Sequence, residues 1–359
     1  MMNKTSLKFL TGILEAPSPS GFEQPVRRII AKRLKPFCDD VRHDVMGNVI
    51  GVLNPDAETR VMLAVHCDEI GMMITHITDE GYIHFAAVGG FEPLVVLGQR
   101  VLIHNERRPV PGVVGRTAVH LITKGGGEMN KGPKMHEAWI DIGAKNKKDA
   151  LRAVAVGDYI TVDAGVVHLR NNLIAARACD DRVGAFVVAE TMRILSGSKK
   201  RLKVAVYGVA TTQEEVGLRG AKVCAHGVDP HAGIAVDVGF ATDYPTASKS
   251  LTGDIAIGKG PIIAKGPNIN PILGKMLVDT AKRKKIAYQV EGAPRATGTD
   301  ANVMQMTRAG VAAALISLPN RYMHTPVEVV GLKDLEDAAK LLAATLLSMK
   351  EGVDFTPKL

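Results

Sequence analysis

Aromatic residues are scarce in this chain: Phe, Tyr and Trp make up 4% of its 359 residues. So few rings leave no interleaved stacking platform for single-stranded nucleic acid, and the core must be aliphatic. Cysteine is sparse as well. Cys38, Cys67, Cys179 and Cys224 are widely spaced and form no Cys-x-x-Cys pair. That pattern fits free thiols in a reducing cytoplasm and carries no thiolate metal signature. No apolar run approaches the roughly 20 residues that span a bilayer. The N-terminus, Met1-Met2-Asn3-Lys4-Thr5, leads into an amphipathic pattern without a signal-peptide core. A cytoplasmic protein with neither membrane nor nucleic-acid partner is expected.

Aliphatic bulk and charge are plentiful. Hydrophobic residues reach 46%, enough for two cored domains at this length. The net charge of +8 raises the question of an acidic partner. The densest basic runs, 199–203 and 282–285, fall at helix-to-strand junctions, where cations suit the helix C-terminus. They read as solvated helix ends.

The opening reads as helix, loop, helix. Leu7, Leu10, Ile13 and Leu14 recur at helical spacing, and Pro17-Ser18-Pro19-Ser20-Gly21 breaks the pattern. Pro25 suits a first helical position, and Val26, Ile29, Ile30 and Leu34 form the next stripe. Strands follow, one ending at His43, then 48–53 and 61–65. From about 72 to 165 helical periodicity nearly vanishes. Six short β pieces, 72–77, 82–87, 100–104, 110–114, 138–142 and 159–162, alternate with turns, as in a small barrel or sandwich. The glycine-rich loop 124–132 is expected to be flexible. Beyond 165, strands at 202–210, 232–238, 287–291 and 311–318 alternate with helices at 183–195, 218–225, 272–284, 300–308 and 334–349. The pattern predicts an α/β fold, a mostly parallel sheet with helices on both faces. The α/β domain is discontinuous, residues 1–71 and 165–359, with 72–164 an inserted β-rich domain.

Acids and histidines gather at the ends of these strands. Two adjacent carboxylates, Glu214 and Glu215, follow 202–210. A pair after a strand is commonly an exposed turn, but neighbours there can also face opposite ways, one toward a metal and one toward its water. Residues 61–65 lead into His66-Cys67-Asp68-Glu69, where His66 and Asp68 share a face and Asp68 can fix the imidazole tautomer. Asp180 and Asp181 precede a helix that either could cap. Asp237 ends the strand 232–238, and His324 follows 311–318. Open α/β sheets place their sites at such strand ends. Two histidines with several carboxylates and no thiolates suit Zn²⁺, Co²⁺ or Mn²⁺. A bridging carboxylate would make a two-metal site.

At this point the chain resembles the glutamyl and tetrahedral (TET) aminopeptidase family of dinuclear metallopeptidases, once also labelled endoglucanases. The resemblance runs nearly end to end. It includes Ser20-Gly21-Phe22-Glu23, Asp44-Val45-Met46-Gly47-Asn48, His66-Cys67-Asp68-Glu69, Asp180-Asp181-Arg182, Gln213-Glu214-Glu215-Val216-Gly217, Gly298-Thr299-Asp300-Ala301 and His324-Thr325-Pro326. It implies that Asp180 bridges two divalent ions, zinc before cobalt or manganese. His66 and Asp237 would complete one site, Glu215 and His324 the other. Glu214 is implied as general base, Asp68 as the residue orienting His66, and Asp181 as no ligand. The implied substrates are peptides, cut one residue at a time from the N-terminus. The insertion resembles a dimerisation domain, and self-association to dimers and dodecamers is implied.

Three rival readings lead to different experiments. A carboxypeptidase or deacylase would keep the dinuclear site and differ in substrate. A glycosidase needs two carboxyl groups and no metal. A nucleic-acid-binding protein would show a steep salt dependence and no turnover.

Overall fold

The computed structural model describes residues 2–118 and 134–358. The loop 124–132 therefore lies outside the described residues. An eleven-stranded mixed sheet forms the main body. At its centre Ala205–Thr211, Arg60–His66, Ala232–Phe240 and Ala312–Arg321 run parallel, side by side. The flanks are antiparallel. Val49–Leu53 pairs with Ala205–Thr211, and Asp40–His43 pairs with Val49–Leu53. On the other side Glu328–Gly331 pairs with Ala312–Arg321 and Leu173–Ala176 with Glu328–Gly331. Parallel pairing recurs away from this centre, where Ile262–Lys265 pairs with Gln289–Gly292, but the buried faces that read as continuous apolar runs belong to the central strands.

Alternation along one strand explains the layering. Val61, Leu63 and Val65 face one apolar cluster, which the helices Lys4–Glu15, Gln24–Leu34, Cys179–Ser196, Pro271–Lys284 and Leu332–Ser348 complete. Met62 and Ala64 face the opposite cluster, closed by Cys224, Ala225 and Val228 of Arg219–Val228 and by Ala301 and Met304 of Asp300–Gln305. Side chains two apart share a face, so one strand serves both helix layers.

Six further strands close a barrel in the order Gly71–Ile77, Ile83–Val88, Trp139–Asp141, Val110–Gly115, Arg100–His104, Tyr159–Val162. Among the described residues every pairing in it is antiparallel. It has its own aliphatic core, including Met72, Ile74, Ile83, Val101, Ile103, Ile140 and Ile160. Several short elements escape the sequence pattern: among them Lys147–Ala153 is helical, N-capped by Asn146, whose side chain accepts from the Asp149 N–H. The strand Ile262–Lys265 also goes unforeseen, because Gly258-Lys259-Gly260-Pro261 and Gly266-Pro267 flank it like loop residues.

The parallel centre sets the site. Thr211 is in register with His66, and Asp237 with Ser317. The carboxyl ends of neighbouring strands therefore lie along one edge.

Candidate metal centre

His66 is the last residue of its strand and is buried. Its Nδ1 lies 3.2 Å from the Asp68 backbone carbonyl and 3.6 Å from Asp68 Oδ1. A carbonyl only accepts, so Nδ1 carries the proton and donates. That leaves Nε2 turned toward a group of carboxylates. It stands 3.0 Å from Asp180 Oδ1 and 4.0 Å from both Asp237 Oδ1 and Glu214 Oε2.

A second imidazole approaches from the loop after Ala312–Arg321. His324 Nδ1 donates to the Gly90 carbonyl at 2.9 Å, which orients the ring in the same way. Its Nε2 faces Asp180 Oδ2 at 3.3 Å and Glu215 Oε1 at 3.7 Å. A Cβ on residue 90 would sit 3.2 Å from the ring, tighter than an ordinary contact, so the approach suits glycine. Asp180 thus presents one oxygen to each imidazole. Two triads result, His66–Asp180–Asp237 and Asp180–Glu215–His324, and in each the donor atoms lie within 4.8 Å of one another.

Asp180 and Asp181 part company here. Asp180 has non-helical backbone at the head of Cys179–Ser196 and turns its carboxylate to the two rings. The Asp181 carboxylate turns into the helix and accepts from the Gly184 N–H. Asp68 does more than face His66. Its carboxylate accepts from Ser20 Oγ at 2.6 Å and from the backbone N–H groups of Glu214 and Glu215 at 3.1 and 3.2 Å. It therefore holds the turn that carries both glutamates.

The segments bearing His66 and Asp180 share a further anchor that sequence reasoning gave no role. Glu69, buried, pairs with Arg182 at 2.6 Å and with Arg177. Arg182 also donates to the carbonyls of Ile13 and Leu14, and Arg177 to that of Glu15 at 2.8 Å. These carbonyls end the helix Lys4–Glu15 and have no partners within it. Glu328 and Asp300 also went unassigned. Asp300, buried, accepts from Thr211 Oγ1 at 2.7 Å, and burial pushes its carboxyl up to about 6.

The electrostatics are those of crowded acids. Burial first, then nearby acids such as Asp300 for Glu214 and Asp180 for Glu215, pushes both glutamates up to about 8 against the pull of His66. Burial also drives Asp237 well above the usual carboxylate range. Asp180 goes the other way: burial opposes its charge, but hydrogen bonds to His324 and His66 hold it well below that range. Hydrogen bonding to Asp180 in turn lifts His324 to about 9. Buried charges of one sign persist when paired or bound to a cation. Tetrahedral ligand bonds of about 2.0–2.2 Å place donor atoms about 3.3–3.6 Å apart. The 3.0–4.0 Å spacings here fit such an ion in each triad.

Two overlapping carboxylate–histidine triads at parallel strand ends are a layout suited to two-metal hydrolysis. The comparisons with known proteins agree. The family described as M42 glutamyl aminopeptidase matches residues 47–341. The lysyl aminopeptidase of Pyrococcus furiosus is 37% identical over 96% of this chain and 97% of its own length. Among solved structures, a TET aminopeptidase from a marine sediment thaumarchaeon superposes with a TM-score of 0.91 at 33% identity, covering 97% of this chain and 98% of that one. The TET peptidase of Pyrococcus horikoshii, said to assemble into a tetrahedron or a large octahedral shell, gives 0.85 at 30% identity over 96% and 100%. The chain belongs to the M42 glutamyl aminopeptidase family. It is a metallopeptidase that hydrolyses the N-terminal residue from peptides.

Proposed function

We propose that His66, Asp180 and Asp237 hold one divalent ion and Asp180, Glu215 and His324 a second, with Asp180 shared. The observation that carries this reading is the split use of Asp180, one oxygen facing each imidazole. Bound there, the pair of ions supplies Lewis-acid activation of water and of the scissile carbonyl. The chain's own part is proton transfer and alignment. Glu214 stands beside the shared cluster, 4.0 Å from His66 Nε2, and belongs to neither triad. It accepts the proton of the attacking water and returns a proton to the leaving amine as the C–N bond breaks. Asp68 keeps Glu214 aimed by holding its backbone N–H. The donor set of two imidazoles and three carboxylates favours zinc, with cobalt and manganese as alternatives.

In this reading residues 72–164 are an inserted domain through which subunits pair, and the assembly is a dodecamer built from dimers. The TET relatives support that architecture by likeness. A cytoplasmic location accords with four free cysteines and with the lack, among the described residues, of any helix long and apolar enough to cross a membrane. The test is a matrix of divalent ions against aminoacyl chromogenic amides. Turnover should vanish on chelation and return with a divalent ion. Turnover that survives full metal removal would sink the reading.

A further inference from the structure

Glu328 lies four residues beyond His324 and opens the strand Glu328–Gly331. Its side chain is buried, with 1% exposure for the residue. The two carboxylate oxygens serve different segments. Oε1 accepts from the His324 backbone N–H at 2.9 Å, and Oε2 accepts from the Asp180 N–H at 3.0 Å. Those residues are 144 positions apart in the chain, by the difference of their numbers.

Both amides need such a partner. His324 has φ of +62°, in the left-handed region that costs a residue with a Cβ some energy. It sits on a connecting loop, outside any strand or helix. Asp180 heads its helix with φ −77° and ψ 105°, so no preceding helical turn accepts its N–H. Asp68 serves Glu214 and Glu215 in the same way, one carboxylate bridging two backbone amides.

We infer that Glu328 is a positioning residue for the metal centre: its buried carboxylate fixes Asp180 and His324 in their mutual geometry through their backbone amides. The inference rests on the ligand assignment proposed above. A carboxylate is what this geometry requires, because two N–H donors need two acceptors. Glutamine offers one acceptor and would turn an NH₂ group on the other donor. Glu328→Gln therefore keeps the volume and releases one of the two residues. Outer partners of metal ligands typically govern affinity by about 10–100-fold.

The experiment is a calorimetric titration of Zn²⁺ into chelator-stripped protein for wild type, Glu328→Gln and His324→Ala. Wild type should take up two ions. Glu328→Gln should weaken, by about 10–100-fold, the binding phase that His324→Ala removes, and weaken the other phase no more than that, since Asp180 serves both ions and His324 only one. Two phases at wild-type affinity in Glu328→Gln would overturn the positioning role and leave the ligand assignment standing. Equal weakening of both phases with backbone amide exchange accelerated throughout the helix Cys179–Ser196 would also overturn it, as a general loss of packing. A wild-type chain that binds fewer than two ions would overturn the ligand assignment, and this inference with it. A second measurement needs no variant to fold. In stripped wild-type protein the His324 amide should exchange its hydrogen at least ~100-fold more slowly than that of Thr325. Equal exchange at the two positions would overturn the inference.

Discussion

The two triads share Asp180 but are built differently. His66 and Asp237 stand on central parallel strands, with side chains 2% and 10% exposed. Their positions follow from the strand ladder and need little else. Glu215 and His324 stand on loops beyond strand ends, and the His324 side chain is 36% exposed. Their positions depend on a few tethers: Asp68 to the Glu215 amide, Gly90 to the His324 ring and Glu328 to the His324 amide. A site can thus hold one half by the sheet and the other by buried carboxylates and a single carbonyl from the barrel side. The strand-side half needs little beyond Asp68 behind the His66 ring, while the loop half depends on a separate tether for each ligand.

The sharpest way to break this comparison is to remove what the halves share. Asp180→Ala should release both ions and abolish turnover, because one carboxylate serves both triads. Elemental analysis checks this; two ions retained per chain would show that the halves are independent. Next in size is Glu214→Gln, expected to lose about 10²–10⁴-fold in activity while metal content stays near wild type. Stoichiometric metal loss in that variant would make Glu214 a ligand, and the halves would then share more than Asp180.

Much of this arrangement can be read from the sequence, and the unread parts share a cause. His66 is legible because an apolar run points to its own terminus, and Asp237 because it interrupts such a run, although its strand continues to Phe240. Asp180 and Asp181 are not separable by spacing, since either could cap the helix; only the backbone turn at 180–181 decides which carboxylate faces the rings. Glu328 leaves no local signal. Its role depends on an amide 148 positions away, and it sits in a short strand that periodicity does not mark. The antiparallel flanks were invisible for a related reason. Pairing direction is set by which strands meet, and that is tertiary information. The barrel is legible through its turns, whereas the helix Lys147–Ala153 is too short for a periodic stripe.

The comparison sharpens further under graded chelation. The loop-side ion should leave first, with an affinity gap of roughly tenfold, about 1.4 kcal/mol. His324→Ala should lose mainly that ion, and His66→Ala mainly the other. Metal-to-protein ratios at each chelator concentration check the order. Simultaneous release would mean that the supporting carboxylates hold the loop half as firmly as the sheet holds its partner.

The one effect expected on stability alone lies where the barrel meets the strand-side half. His104, on the barrel strand Arg100–His104, stacks on Phe22 at 5.8 Å between ring centroids, and its Nε2 lies 2.8 Å from Thr161 Oγ1. Phe22 belongs to the same turn as Ser20, whose hydroxyl holds Asp68. Burial, with the positive charge of Arg177, pushes His104 down to about 4, against about 6.5 in an unfolded chain. Above 6.5 both states are neutral and the contribution is fully present. As pH falls from 6.5 toward 4, the unfolded chain takes up a proton that the folded chain refuses, so stability declines, and below 4 the loss levels off. The shift bounds the loss at about 3 kcal/mol. His104→Gln removes the titration and keeps a hydrogen-bonding group near Thr161. Its melting temperature should therefore fall less steeply than that of wild type between pH 6.5 and 4. The acids of the metal centre titrate in both proteins and cancel in the difference. Parallel curves would mean that His104 takes up its proton as readily folded as unfolded, and that the joint beside the strand-side half is open to water.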